Sequence, residues 1–263
     1  MKKLKIFFAA LLLSVGTFSQ VYADKAPLKF GLLSPEKPSS DLMIGWQNVA
    51  SAMEQASGDS VKLIYYTSSD KIVHDLGAGI IGLAYFELST NMKKSTTIQL
   101  LATALTREPV TGQSTKVYTS YIVVAKNSPI SRLRSLKNKK IAYISLDSVS
   151  GRVQVEKELA KAGVTNVHWV KYNSLDDAFN AVHNGDASAL GVGDHALLSR
   201  EDQEVFNVID TIKNLPNPGL YVNIKIIPAA LQKKLMTTLP DTKGPDNILG
   251  FVRPKNKAMP TVK

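Results

Sequence analysis

Apolar residues recur along this chain with two periods. Leu28–Ser34 (LKFGLLS) is a compact apolar run of strand length. In Asp41–Ser57, Leu42, Trp46, Val49, Met53 and Ala56 return at steps of four and three, which is one face of a helix, and Gly58 stops it. Val61–Thr67 is β-branched and aromatic, hence a strand, and Ser69–Leu76 follows as a short helix. Ile80–Phe86, Thr97–Leu105 and Tyr118–Lys126 read as further strands, with Pro35–Ser40 and Pro109–Lys116 as connections. A second alternation follows: strand Lys140–Ser145, helix Gly151–Ala162, strand Val167–Val170, helix Ser174–Asn184, strand Ala187–Val192. Ser174 and Asp177 open that second helix as a capping pair. Pro228–Leu239 reads as a last helix with proline in its first turn. Strands alternating with helices predict parallel sheets covered on both faces. Two such sets predict two α/β lobes with a cleft between them, the first built from residues 24–117 and 222–263, the second from 118–221.

The first 23 residues change the picture of location. Lys2, Lys3 and Lys5 precede a short apolar run, Ile6–Val15, and Val21 and Ala23 supply small residues where a leader peptidase cuts. The run is short for a membrane span. The expected product is Asp24–Lys263, 240 residues, exported and soluble. The whole chain has 263 residues, 44% apolar and 21% charged, at a formal +10; removing three lysines leaves +7. With no cysteine, disulfide staples, thiolate zinc sites and a lipidated-cysteine anchor are excluded. The expected compartment is therefore the periplasm of a two-membrane bacterium.

Most catalytic signatures are missing. No Walker loop, His-Glu-x-x-His or Gly-x-Ser-x-Gly occurs. Gly77, Gly79 and Gly82 spell G-x-G-x-x-G, but a helix precedes the run and a strand follows it, the reverse of a dinucleotide site, so they read as a helix stop and turn. His74, His168, His183 and His195 are not spaced as metal ligands. Lysine and arginine cluster at 137–140, at 233–234 and at 253–257 without interleaved aromatics, so they read as solvated faces rather than a nucleic-acid platform. No catalytic residue, metal or cofactor is expected.

The strongest local signal is Asp147-Ser148-Val149-Ser150-Gly151-Arg152, after a strand and at a helix start. Unpaired backbone N–H groups, the helix dipole, two hydroxyls and a glycine make a cradle for a tetrahedral oxyanion. Ser and Asp are also ordinary helix caps. Upstream lie Tyr118-Thr-Ser-Tyr-Ile-Val-Val and Leu133-Arg-Ser-Leu-Lys-Asn-Lys-Lys-Ile-Ala-Tyr. This succession resembles the periplasmic binding proteins of phosphate, phosphite and phosphonate ABC transporters, which have the two-lobed type II fold. Trp46, the Gly79–Ala84 pattern and Ala178–Ala189 extend the resemblance more loosely.

The resemblance implies a protein that captures a small anion by lobe closure and delivers it to a membrane permease, acting as a monomer. It implies that Ser148, Val149, Ser150 and Gly151 hold the phosphoryl oxygens. Ser68 and Ser69 fall on its first-lobe loop beside the ligand, Tyr85 and Phe86 on its pocket aromatics, and Asp194 and His195 on its contacts to the organic part. From the residues alone, Tyr85 and Phe86 are equally core residues and Asp194 equally a helix cap. Members that take aminoalkyl phosphonates have Thr at the place of Val149, a His at the helix starting with Ser174, an acid within 215–219 and an Asp at the place of Gly82. An ammonium group is thus expected to meet fewer carboxylates here. A sensory or partner-binding protein on the same fold, and a periplasmic hydrolase, are the alternative readings.

Overall fold

The computed structural model describes residues 26–34, 38–87 and 95–254. The expected leader at 1–23, part of the 35–40 connection and part of the 253–257 basic run lie outside them. Two sheets organise the chain. The first holds β1 (Leu28–Leu33), β2 (Val61–Tyr66), β3 (Leu83–Phe86), β4 (Ile98–Arg107) and the two-residue β5 (Ser114–Thr115). The second is made of β6 (Val117–Ala125), β7 (Lys140–Tyr143), β8 (His168–Lys171), β9 (Ala189–Gly193) and β10 (Phe206–Pro216). The chain then returns to the first sheet with β11 (Gly219–Asn223) and β12 (Ile248–Val252). The orders are β12-β4-β11-β3-β1-β2 and β10-β6-β9-β7-β8.

Two expectations are corrected. The sheets are mixed rather than mostly parallel: β1 pairs parallel with β2 and β3, and β7 with β8 and β9, whereas β11, β12, β6 and β10 are all added antiparallel. Antiparallel strands need no crossover helix, so alternation of strand and helix cannot signal them. The return crossing falls between Pro216 and Gly219, because Gly219–Tyr221 already pair with β3 and β4, ahead of the expected boundary after Tyr221.

Helices cover both sheets. On the first lie α1 (Ser40–Ser57), α2 (Ser69–Gly77) and α6 (Ala229–Thr238). The apolar face of α1 buries Trp46, Val49 and Met53 against Phe30, Leu83 and Phe251, and Gly58 ends it at φ +76°. On the second lie α3 (Gln154–Lys161), α4 (Leu175–Asn184) and α5 (Asp194–Leu198). Ser174 caps α4 by accepting from the Asp177 N–H at 3.0 Å. Gly77 ends α2 and Gly79 takes φ +76°, so the glycine run is a helix stop, as the residue order predicts. Among the described residues no helix is long and apolar enough to cross a membrane.

A buried carboxylate ties α2 to its sheet. Asp75 accepts from Tyr66 Oη (2.9 Å), from Lys71 Nζ (3.2 Å) and at 3.0 Å contacts His74 Nδ1. The His74 contact chiefly holds its carboxyl below the usual range, against burial, while burial and the Asp75 contact push the Tyr66 phenol up to about 12. A folded-state value below the unfolded one stabilises above the ordinary carboxylate pKa and is lost as pH falls through the folded value. The melting temperature should therefore drop below about pH 4. Asp75→Asn should melt lower at pH 7 and show a shallower acid decline; equal acid profiles for the two proteins would refute this role.

Candidate functional site

The parallel strands β1 and β3 and the turn after β7 bring their C-terminal ends to the gap between the sheets, where open α/β sheets place ligands. A hollow of about 370 Å³ lies there, lined from the first lobe by Trp46, Tyr85, Glu87 and Asp246 and from the second by Tyr118, Ser150, Asp194 and His195. A smaller one of about 230 Å³ adjoins it, lined by Phe86, Ser145, Asp147 and Ser148; Leu33, Tyr85, Glu87 and Pro218 border both. Hollows of about 520 and 660 Å³ elsewhere are each confined to one lobe.

The helix start at 148–154 is tightly wound and internally bonded. Its first turn, Val149–Val153, is a π-turn, with the Arg152 and Val153 N–H groups both donating to the Ser148 carbonyl. Ser148 Oγ caps it by accepting from the Gly151 N–H at 3.0 Å. That capping bond uses the Gly151 N–H and one lone pair of Ser148 Oγ, whose O–H remains a donor at the wall of the smaller hollow. The Val149 side chain is buried with Ile122, Ile141 and Val155, which accounts for an apolar residue where a hydroxyl was missed. Ser120 Oγ on β6 donates to the Ser150 carbonyl at 3.0 Å and fixes the turn from below. Arg152 faces away: its guanidinium stacks 3.7 Å from the Trp169 ring and pairs with Glu156.

The Val149 N–H already has a partner. It donates to Glu87 Oε2 at 2.9 Å, and Tyr118 Oη donates to Glu87 Oε1 at 2.9 Å. Glu87, from the end of β3, thus crosses the cleft and places a carboxylate on the second lobe's oxyanion cradle. Burial pushes its carboxyl up, and the Val149 and Tyr118 bonds pull it back. Burial and the Glu87 charge push the Tyr118 phenol far above its ordinary value, so Tyr118 stays protonated and donates to Glu87, while its oxygen takes a hydrogen bond from the Ser150 side chain.

The other expected residues divide. Tyr85 lies on the cleft and also in an aromatic series, 4.6 Å from Trp46 and 6.0 Å from Phe251. Phe86, its neighbour on the opposite face of β3, is a core residue stacked at 4.5 Å on Tyr221, touching only the smaller hollow. Asp194 is buried, accepting from the Thr119 N–H at 2.8 Å and the His195 N–H at 2.7 Å, and His195 is exposed on the cleft wall. Ser68 and Ser69 border neither hollow: Ser68 caps α2, accepting from Lys71 N–H, and Ser69 is buried beneath it. The lining carries several acids of its own. Glu87, Glu108, Asp194 and Asp246 face it against the single guanidinium of Arg107, although the chain as a whole carries +10.

A family model described as "ABC transporter, phosphonate, periplasmic substrate-binding protein" matches residues 31–249. The chain belongs to this family. Its members are solute-binding components of phosphonate transporters. The curated proteins gave no significant match. Among solved structures, PhnD1 from Prochlorococcus marinus in complex with methylphosphonate is 17% identical, with 81% of this chain and 84% of that one covered at a TM-score of 0.66. A binding protein of an ABC phosphonate transporter from Pseudomonas aeruginosa is 16% identical, covering 88% and 82% at 0.63. A Xanthomonas citri protein bound to ATP is 14% identical, covering 82% and 83% at 0.68. At these identities the likeness carries the two-lobed fold of the family, and the ligand has to be argued from this chain's own residues.

Proposed function

We propose that this protein binds a small phosphorus oxyanion of the phosphonate class between its lobes, with the oxyanion on the Val149 and Ser150 N–H groups and the hydroxyls of Ser150 and Tyr118. What supports this most is that the Val149 N–H and Tyr118 hydroxyl hold an oxyanion now, the Glu87 carboxylate, across the cleft. A phosphonate offers three acceptor oxygens to the same donors, and charge-assisted bonds in a closed, water-poor site are the strong ones. The organic substituent would lie in the 370 Å³ hollow, over Trp46 and Tyr85 and facing Asp246 and Glu108. These carboxylates favour a substituent that carries hydrogen-bond donors. Closure of the lobes holds the ligand for transfer to a membrane permease. The leader is cut after Ala23, and the mature chain works in the periplasm as a monomer without doing chemistry on its ligand.

The reading is tested by thermal melts of the purified protein against phosphate, phosphite, sulfate, methylphosphonate, 2-aminoethylphosphonate and simple carboxylates. A ligand at a hundred times its Kd adds about 2.7 kcal/mol, which moves the midpoint by several degrees. A phosphorus oxyanion should do so. Ser150→Ala, losing one bond to a charged group of about 1.5–3 kcal/mol, should weaken that ligand roughly ten- to hundredfold with little change in the ligand-free melt. Unchanged affinity in Ser150→Ala would remove the cradle assignment.

A further inference from the structure

Glu87 is the acid at the cleft that takes up the donors the proposed ligand needs. It is an acid placed where an acid's own kind is to be bound. Its two oxygens take the Val149 N–H and the Tyr118 hydroxyl, one each at 2.9 Å, and both donors are groups that an incoming oxyanion needs. Its side chain also forms a wall common to the two hollows of about 370 and 230 Å³.

We propose that Glu87 is an internal ligand that sets specificity: its carboxylate occupies the oxyanion cradle and bridges the lobes when no solute is bound, and only a solute that outcompetes it is retained. The inference rests on the oxyanion reading above and adds the residue that decides which oxyanions pass. Being part of the chain, the carboxylate competes at an effective concentration on the order of millimolar or more. A free monocarboxylate of equal intrinsic affinity gains nothing over it and is excluded at ordinary concentrations. A tetrahedral dianion brings a third acceptor oxygen and a second charge, and so displaces it. The same bridge also predicts a cleft that is closed without ligand, since Glu87 belongs to the first lobe and Val149 and Tyr118 to the second. Removing the carboxylate should then both open the empty protein and tighten binding.

The test uses the wild-type protein, Glu87→Ala and Glu87→Gln, with two readouts. The first is small-angle scattering without ligand. Glu87→Ala should have a larger radius of gyration than wild type, and Glu87→Gln, which keeps an acceptor for the same donors, should lie between. The second is calorimetric titration with methylphosphonate, alone and with acetate present. Methylphosphonate should bind Glu87→Ala at least tenfold more tightly than wild type. Acetate should compete in Glu87→Ala and not in wild type. If wild type binds methylphosphonate and Glu87→Ala binds it equally or more weakly, the internal-ligand proposal is overturned while the oxyanion reading stands, with Glu87 then a contact to the ligand. If no variant binds any phosphorus oxyanion, both fail, even if Glu87→Ala still opens the cleft. Should Glu87→Ala fold poorly, Glu87→Gln carries the same comparisons with smaller shifts.

Discussion

Gly191→Ala should abolish most of the ligand affinity while leaving a folded protein. Gly191 lies on β9 directly under the cradle. A Cβ there would sit 2.3 Å from Val155 Cγ2 and 2.8 Å from the Ser150 carbonyl oxygen. The valine methyl can turn, but the carbonyl is backbone and can move only with the turn that carries it. That same carbonyl accepts from Ser120 Oγ, so the displacement breaks the bond that fixes the turn and shifts the Val149 and Ser150 N–H groups together. Overpacking of this kind costs about 1–3 kcal/mol, or a few degrees of melting temperature per kcal/mol in a chain of this size. The loss in affinity for the best phosphorus oxyanion should exceed tenfold, because two donors move at once. Gly77→Ala, where the new Cβ meets nothing nearer than 3.8 Å, should leave both quantities unchanged. Wild-type affinity in Gly191→Ala would mean that the turn at 149–151 does not hold the ligand.

Asn217→Ala should give the largest loss of stability from a single polar side chain. Asn217 lies at the return crossing between the sheets and is buried. Its amide nitrogen donates to the Ala104 carbonyl (3.0 Å), to Thr106 Oγ1 (2.9 Å) and to the Thr115 carbonyl (3.1 Å). These partners come from β4 and from β5, so one side chain clamps the outgoing and returning crossings together. Truncation leaves the buried Ala104 carbonyl and Thr106 hydroxyl without this donor, at about 1–3 kcal/mol for each group left unpaired. With partial relaxation, a total of roughly 2–4 kcal/mol is expected, read as a drop of about 5–15 °C in the melting midpoint. A drop of under 2 °C would show that water or a neighbouring side chain replaces the amide, and that the crossings are held otherwise.

The parts of this architecture that the amino-acid pattern reveals are those with an undisturbed period. Residues 41–57 keep an unbroken helical spacing, and α1 follows it from Ser40 to Ser57. The long strand β10 does not keep a strand's alternation. Register shifts between Val208 and Asp210 and between Ile212 and Leu215 turn successive side chains out of phase, so Phe206–Pro216 shows no clean period of two. β12 has the same defect between Ile248 and Gly250. β11, buried along its whole length, is too short for its apolar run to distinguish strand from helix.

The site shows the same division. The run from Ser148 to Gly151 is local, so its role as a helix start is legible from four residues. What the backbone then does with each donor is not: the Gly151 N–H goes to Ser148 Oγ, a choice set by the π-turn. The resemblance puts Ser68 and Ser69 beside the ligand, whereas the structure shows Ser68 as the cap of α2 and both residues away from the two hollows. Glu87 lies one residue beyond the aromatic pair Tyr85-Phe86, at the end of a parallel strand where ligand groups gather. Its position was the available signal. A search for groups that attract an anion passes over an acid, and only the crossing of the cleft to Val149 shows what it does.

The central claim is that an oxyanion binds on the N–H groups of Val149 and Ser150. Backbone amide NMR of the 15N-labelled protein, titrated with methylphosphonate, tests it most directly. The account predicts saturable shifts that are largest at Val149 and Ser150, with Glu87 among the residues that move as its carboxylate leaves. Saturable shifts confined to other surfaces, with Val149 and Ser150 unchanged, would contradict it.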